Sequence, residues 1–116
     1  MMCLDPENLT LTRGDTWKHV FDYLEPDEVT PVDLTGVSAR LQLRPDINAG
    51  FVELLTTVSG EIIITPLIGR IALRLPAARS GLLSGVLLYD LELTYSNGDV
   101  ETIVAGTLTI VGDVTR

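Results

Sequence analysis

Between Val37 and Arg44 the sequence reads VSARLQLR, so Val37, Ala39, Leu41 and Leu43 share one side of an extended chain and Ser38, Arg40, Gln42 and Arg44 the other. Strict alternation marks a half-buried strand, because successive strand side chains point to opposite faces whereas a helix repeats about every 3.6 residues. The pattern returns from Gly69 to Leu75, with Ile71, Leu73 and Leu75 inward and Arg70, Ala72 and Arg74 outward. It returns again from Gly85 to Tyr95, where Leu87, Tyr89, Leu91, Leu93 and Tyr95 align. A chain patterned in this way has to pair its strands and bury one face of each sheet. Its residues suit that outcome: Leu, Val and Ile fill 38 of 116 positions and Thr another 13.

Shorter stretches complete the reading. Asn8 to Thr12 forms a first strand, and Arg13-Gly14-Asp15 turns the chain, with Asp15 available to bond local backbone N–H groups. Thr16 to Glu25 places Trp17, His19, Phe21 and Tyr23 on one face, the core side, since those rings bury the most area. Glu25 to Thr35 is a loop holding Pro26 and Pro31. Phe51 to Val58 suits a strand or one helical turn, and Glu61 to Thr65 (EIIIT) a buried strand. Pro76 to Leu83 suits a helical turn that breaks at Gly81. Asn97-Gly98 signals a hairpin. From Val100 to Val111 the alternation changes phase near Ala105-Gly106, which predicts a β-bulge at Gly106. Together these give seven or eight strands in an all-β, antiparallel, immunoglobulin-like two-sheet sandwich. Residues 1–116 make one domain, long enough for a core without staples.

Charge and composition narrow the function. The net charge of −8 argues against a general nucleic-acid binder, which needs a basic face. No apolar run approaches the roughly 18 residues of a membrane span, and the N-terminus lacks the pattern of a secretory signal. Cys3 is the only cysteine, so no internal disulfide forms, which suits cytoplasmic synthesis. His19 is the only histidine, which excludes multi-histidine metal sites and His-dependent triads and leaves it a core or interface imidazole. No phosphate loop, Cys/His cluster or nucleophile elbow is present, so neither an enzyme nor a cofactor is expected.

What remains is surface. Glu25, Asp27, Glu28 and Asp33 gather in one loop whose spacing matches no calcium site. Arg40 and Arg44 project from one strand and Arg70 and Arg74 from another, while Asp90 and Glu92 share the outward phase of a third. Seven of the eight basic residues are Arg, the cation enriched at protein interfaces. These arginines and the acidic loop are candidate complementary contact surfaces. Ordinary cross-strand ion pairing on a solvated sheet explains the arginines as well.

Three runs carry a family resemblance: LTLTRGDTW, VDLTGVSARLQLR and VLLYDLELTYSNGDVETIVAGTLTIVGDVTR. They resemble small virion proteins of tailed bacteriophages and, distantly, the N-terminal domains of phage baseplate upper proteins. The resemblance extends from about Asn8 to Arg116 and is weakest from Asn48 to Pro66. It implies a structural or attachment module in a virion, made in the host cytoplasm and contacting other virion proteins as several symmetry-related copies. A tail, baseplate or fibre base is the implied place, with capsid decoration, a neck, or a free-standing carbohydrate- or protein-binding module as alternatives. Baseplate relatives continue into a host-binding part, and none follows Arg116 here, so an adaptor role is expected rather than direct adsorption.

Overall fold

The structure, a computed structural model, describes residues 7–112; Cys3 and the terminal Asp-Val-Thr-Arg motif lie outside the described residues. Eight strands form among them: β1 (Glu7–Thr12), β2 (Trp17–Asp22), β3 (Ser38–Arg44), β4 (Glu53–Thr56), β5 (Ile62–Thr65), β6 (Arg70–Leu75), β7 (Val86–Thr94) and β8 (Val100–Val111). One helical turn, α1 (Ala77–Ser80), follows β6, and a 3-10 turn covers Pro66–Ile68. The alternating apolar phases are what the sheets bury. Ala39, Leu41 and Leu43 of β3, Ile71, Leu73 and Leu75 of β6, and Leu87, Tyr89, Leu91 and Leu93 of β7 all join one core. Trp17, Phe21 and Tyr23 enter it from the β2 side.

Five strands make the larger sheet in the order β1-β8-β7-β3-β4, and β2-β6-β5 make the smaller. The expectation of a wholly antiparallel sandwich needs correction, because β1 runs parallel to β8 from Glu7 opposite Gly106 to Thr12 opposite Val111. The turn after β1 does not close a hairpin. It carries the chain from one sheet to the other, so β1 meets the free edge of β8 and brings Leu9 and Leu11 to the core.

That crossing turn is clamped from a distance. Ser80, fully buried on α1, accepts from the Gly14 N–H at 3.2 Å and donates to the Asp15 carbonyl at 2.6 Å. A carboxylate bond from Asp15 was the sequence expectation; the serine does this work instead. Ser80→Ala leaves both backbone groups without that partner and is expected to cost about 1–2 kcal/mol in urea denaturation.

Two further corrections concern β5 and β8. Ile62 is buried, but Ile63 is 65% exposed, so EIIIT is an edge strand with one open face rather than a fully buried one. In β8 the pairing steps from Leu91–Val104 to Glu92–Thr102, which leaves Ile103 as the extra residue. The bulge thus sits at Ile103, not Gly106, and lets successive residues Ile103 and Val104 both enter the core. Gly106 answers a different demand. A Cβ there would lie 1.9 Å from the Glu7 carbonyl oxygen and 3.1 Å from the Tyr89 ring.

Phe51 to Val58 resolves as a strand, β4. The Asn97-Gly98 hairpin forms with a loop of Ser96, Asn97 and Gly98: Tyr95 donates its N–H to Asp99 O, and Gly98 takes φ 93°. This is the three-residue form that needs a left-handed residue at its end. The sandwich therefore has two loop ends. Residues 23–37, 66–69 and 95–99 meet at one, joined by bonds such as Leu34 N–H to Pro66 O and Tyr23 OH to Glu101. Residues 13–16 and 76–85 meet at the other, with 45–52 beside them.

Candidate functional site

The four arginines do not form one surface. β3 lies in the large sheet and β6 in the small one, so Arg40 and Arg44 face away from Arg70 and Arg74 on opposite sides of the sandwich. Arg40 pairs across the strands with Glu92 at 3.0 Å, and Arg70 with Asp22 at 2.9 Å. Exposed pairs of this kind contribute about 0.2–1 kcal/mol each and mainly fix side-chain direction. Arg44 reaches the backbone instead, donating to Ala49 O at 2.6 Å and to Gln42 Oε1. It so ties the 45–52 loop to the sheet.

Arg74 is the exception. Its cross-strand neighbour is Lys18, and neither residue has an ion-pair or side-chain hydrogen-bond partner among the described residues. Sequence reading passed over Lys18, although its outward phase on β2 was visible.

On the outer face of the large sheet, Arg44, Gln42, Ile47, Leu88, Asp90 and Thr107 line a groove of about 560 Å³. Burial raises the Asp90 carboxyl above its ordinary range and the Glu92 charge adds to this, while Arg44 and Arg40 pull it back. The groove is large enough for a side chain of a partner, and its guanidinium is already spent on the loop.

The acidic loop divides in the same way. Asp27 accepts from the Thr30 hydroxyl and from the Thr30 and Val29 N–H groups. Asp33 accepts from the hydroxyl and N–H of Thr35. These bonds hold both carboxyls below the usual carboxylate range, the threonine hydroxyl being the largest cause in each case. Both aspartates are loop staples first. Glu25 and Glu28 have uncommitted carboxylates among the described residues. Glu28 also takes φ 61°, the left-handed region that side chains resist. Glu28→Gly relieves that strain and is expected to raise stability by about 1 kcal/mol, read as a higher denaturant midpoint.

A half-buried ionic knot went unseen in the sequence. Arg79 of α1 donates to Glu53 of β4 and, at 2.8 Å, to Glu61 just before β5. It also reaches the Leu54 carbonyl. Burial alone would raise the Glu61 carboxyl. Hydrogen bonds from Ser59, Arg79 and the Thr56 N–H outweigh it and hold the group down from 4.5 to about 2. His19 sits edge-on to Phe21 with ring centres 4.6 Å apart and places Nε2 3.4 Å from Glu7. It is a packed imidazole binding β2 to the start of β1.

One loop end is acidic without counter-charge. The loop end made by residues 23–37, 66–69 and 95–101 carries Glu25, Asp27, Glu28, Asp33, Asp99 and Glu101 and contains no lysine or arginine. Arg70, at the border of that end, is paired with Asp22. The opposite end is mixed: it carries Arg13, Lys18, Arg74 and Arg79 together with Asp15, Asp46, Glu53 and Glu61, the last two paired with Arg79. Among the described residues no three His, Cys, Asp or Glu side chains converge so as to hold a metal ion. No helix there is long and apolar enough to cross a membrane.

Fold and surface together define an all-β two-sheet sandwich whose uncommitted chemistry lies on its outer faces and loop ends. Compared with known proteins, the chain matches no family model, and no curated protein sequence matches it.

Proposed function

We propose that this chain is a non-enzymatic structural module of a tailed-bacteriophage virion, an attachment or adaptor piece of the tail, baseplate or fibre base. The resemblance of LTLTRGDTW, VDLTGVSARLQLR and the Val86 to Arg116 run motivates the class. The observation that carries the mode of action is an acidic loop end without bases set against the unpaired Lys18 and Arg74 on the small sheet, while Asp27, Asp33, Arg44 and Arg79 are already spent on the fold. Such a chain works by touching other virion proteins through its surfaces, and needs neither cofactor nor nucleic acid nor membrane.

An immunoglobulin-like topology belongs to this reading. The order β2-β6-β5 follows strands B, E and D of that fold, and β8-β7-β3-β4 follows G, F, C and an added C′ strand. α1 falls in the connection between E and F. Two features depart from antibody domains: the core tryptophan, Trp17, is on β2, and a single cysteine allows no inter-sheet disulfide.

Capsid decoration or a neck position would use the same surfaces. A free-standing carbohydrate-binding sandwich has less support, because Trp17, Tyr23 and Tyr89 are all in the core and Phe51, 52% exposed, has none of them beside it as a second stacking ring. Gold-labelled antibody on purified particles of the encoding phage separates these places. Label at the tail, baseplate or fibre base is the expected result; label on the head or neck selects the variant, and unlabelled particles contradict the class.

A further inference from the structure

The outer face of the small sheet bears two cations that the fold does not use. Lys18 and Arg74 stand directly opposite each other on β2 and β6, both exposed. Like charges in that relation are unfavourable. Four residues along the same strands the chain makes the favourable choice, Asp22 opposite Arg70. Beside the unpaired cations lies an apolar strip of Val20, Ala72 and Ile63, with Val20 49% and Ile63 65% exposed. The acids nearest the strip are already taken, Asp22 by Arg70 and Glu61 by Arg79, so the free charge beside this apolar centre is positive, the layout of a contact surface.

The complementary surface is on the same molecule, at its far end. Glu25 and Glu28 project there with no structural task, in a loop end that has acids and no bases. We propose that the Lys18–Arg74 face receives the acidic loop end of a second copy of this chain, so that copies associate head to tail. Because the two surfaces differ and lie at opposite ends, the contact is heterologous and leaves one of each free on every pair. Further copies therefore add until a ring closes or a row extends. This deepens the reading of the chain as a repeated structural module and rests on it, but it is testable on the purified chain without any virion.

Lys18 is the only lysine, which makes zero-length carbodiimide coupling unusually informative. β2 alone carries the chain roughly 13 Å from Lys18 to Asp22, and Glu25 and Glu28 lie beyond it at the loop end. An amide between Lys18 and Glu25 or Glu28 therefore has to join two molecules. Concentrated wild-type chain at low ionic strength is expected to give dimers and larger species whose crosslinked peptides pair Lys18 with Glu25 or Glu28. High salt should suppress them, since exposed charges are screened. In sedimentation equilibrium, Lys18→Glu/Arg74→Glu and Glu25→Lys/Glu28→Lys should each weaken self-association by about tenfold or more. Mixed in equal amounts, the two variants should associate again. The salt series stands without any variant, should one fail to melt cooperatively. A wild-type chain that stays monomeric, crosslinks confined to other carboxylates, or a mixture that remains monomeric overturns the proposal. Virion membership would be untouched by any of these results.

Discussion

Gly106→Val is expected to detach β1 from the large sheet and to lower stability by about 3 kcal/mol, roughly 10–15 °C in Tm. The cause is backbone proximity. β1 pairs with β8 in parallel starting at Glu7 and Gly106, and any Cβ at 106 would sit 1.9 Å from the Glu7 carbonyl oxygen. That carbonyl cannot retreat freely, because the Tyr89 hydroxyl donates to it at 2.9 Å. Tyr89 also packs its ring against the bare Gly106 backbone, filling the space a side chain would need. Val is a good strand residue, so propensity alone would favour the change; steric conflict decides its sign. Tyr89→Phe should cost only about 1 kcal/mol, the worth of one hydrogen bond. Amide exchange in Glu7 to Thr12 should accelerate in the Gly106 variant. Wild-type stability in Gly106→Val would mean that β1 does not pair with β8 in this register.

The second large effect is at Arg79. Replacing it with Met keeps the bulk and removes the charge, leaving Glu53 and Glu61 with side chains only 16% and 12% exposed and no cation beside them. Removing one partner of a buried pair costs about 3–5 kcal/mol. Arg79 is itself 35% exposed, so water shares the burden and about 2 kcal/mol is expected. The pH signature distinguishes this from lost packing. In the wild type the folded Glu61 titrates at about 2 instead of 4.5. A depressed carboxylate contributes stability above its unfolded value and loses it as pH falls through the folded one. The wild type should therefore weaken between pH 4.5 and about 2. The Arg79→Met chain should instead lose part of its deficit on acidification, because protonation relieves the stranded carboxylates. Adding Glu53→Gln and Glu61→Gln to it should recover most of the loss at neutral pH. A deficit that is constant with pH would assign the effect to packing.

These residues also show where sequence reading stops. Alternation located β3, β6 and β7 with their inward faces, because period two is a local property of a pleated chain. Which strands share a sheet is not local. β1 and β2 look like a hairpin through Arg13-Gly14-Asp15, yet the turn crosses between sheets, and only the tertiary fold supplies Ser80 to clamp it. The phase change in β8 is legible, but its place is not: a glycine at 106 suits a bulge, while the extra residue is the apolar Ile103. The arginines were correctly read as outward, and their division between opposite faces follows from the strand order alone. Arg79 was invisible for a related reason. Its acidic partners stand 26 and 18 residues away in sequence, beyond any helical or strand spacing. Within the acidic loop, Asp27 and Asp33 each precede a threonine that bonds them, a spacing that marks them as staples rather than contacts.

Membership of a particle is what most directly decides the function of this chain. Quantitative mass spectrometry of density-purified virions, set against the lysate from which they came, measures that directly. The expected result is enrichment of its peptides with the tail or head proteins, in a fixed ratio to them that survives repeated purification. A chain abundant in the lysate and absent from the purified virions would contradict it.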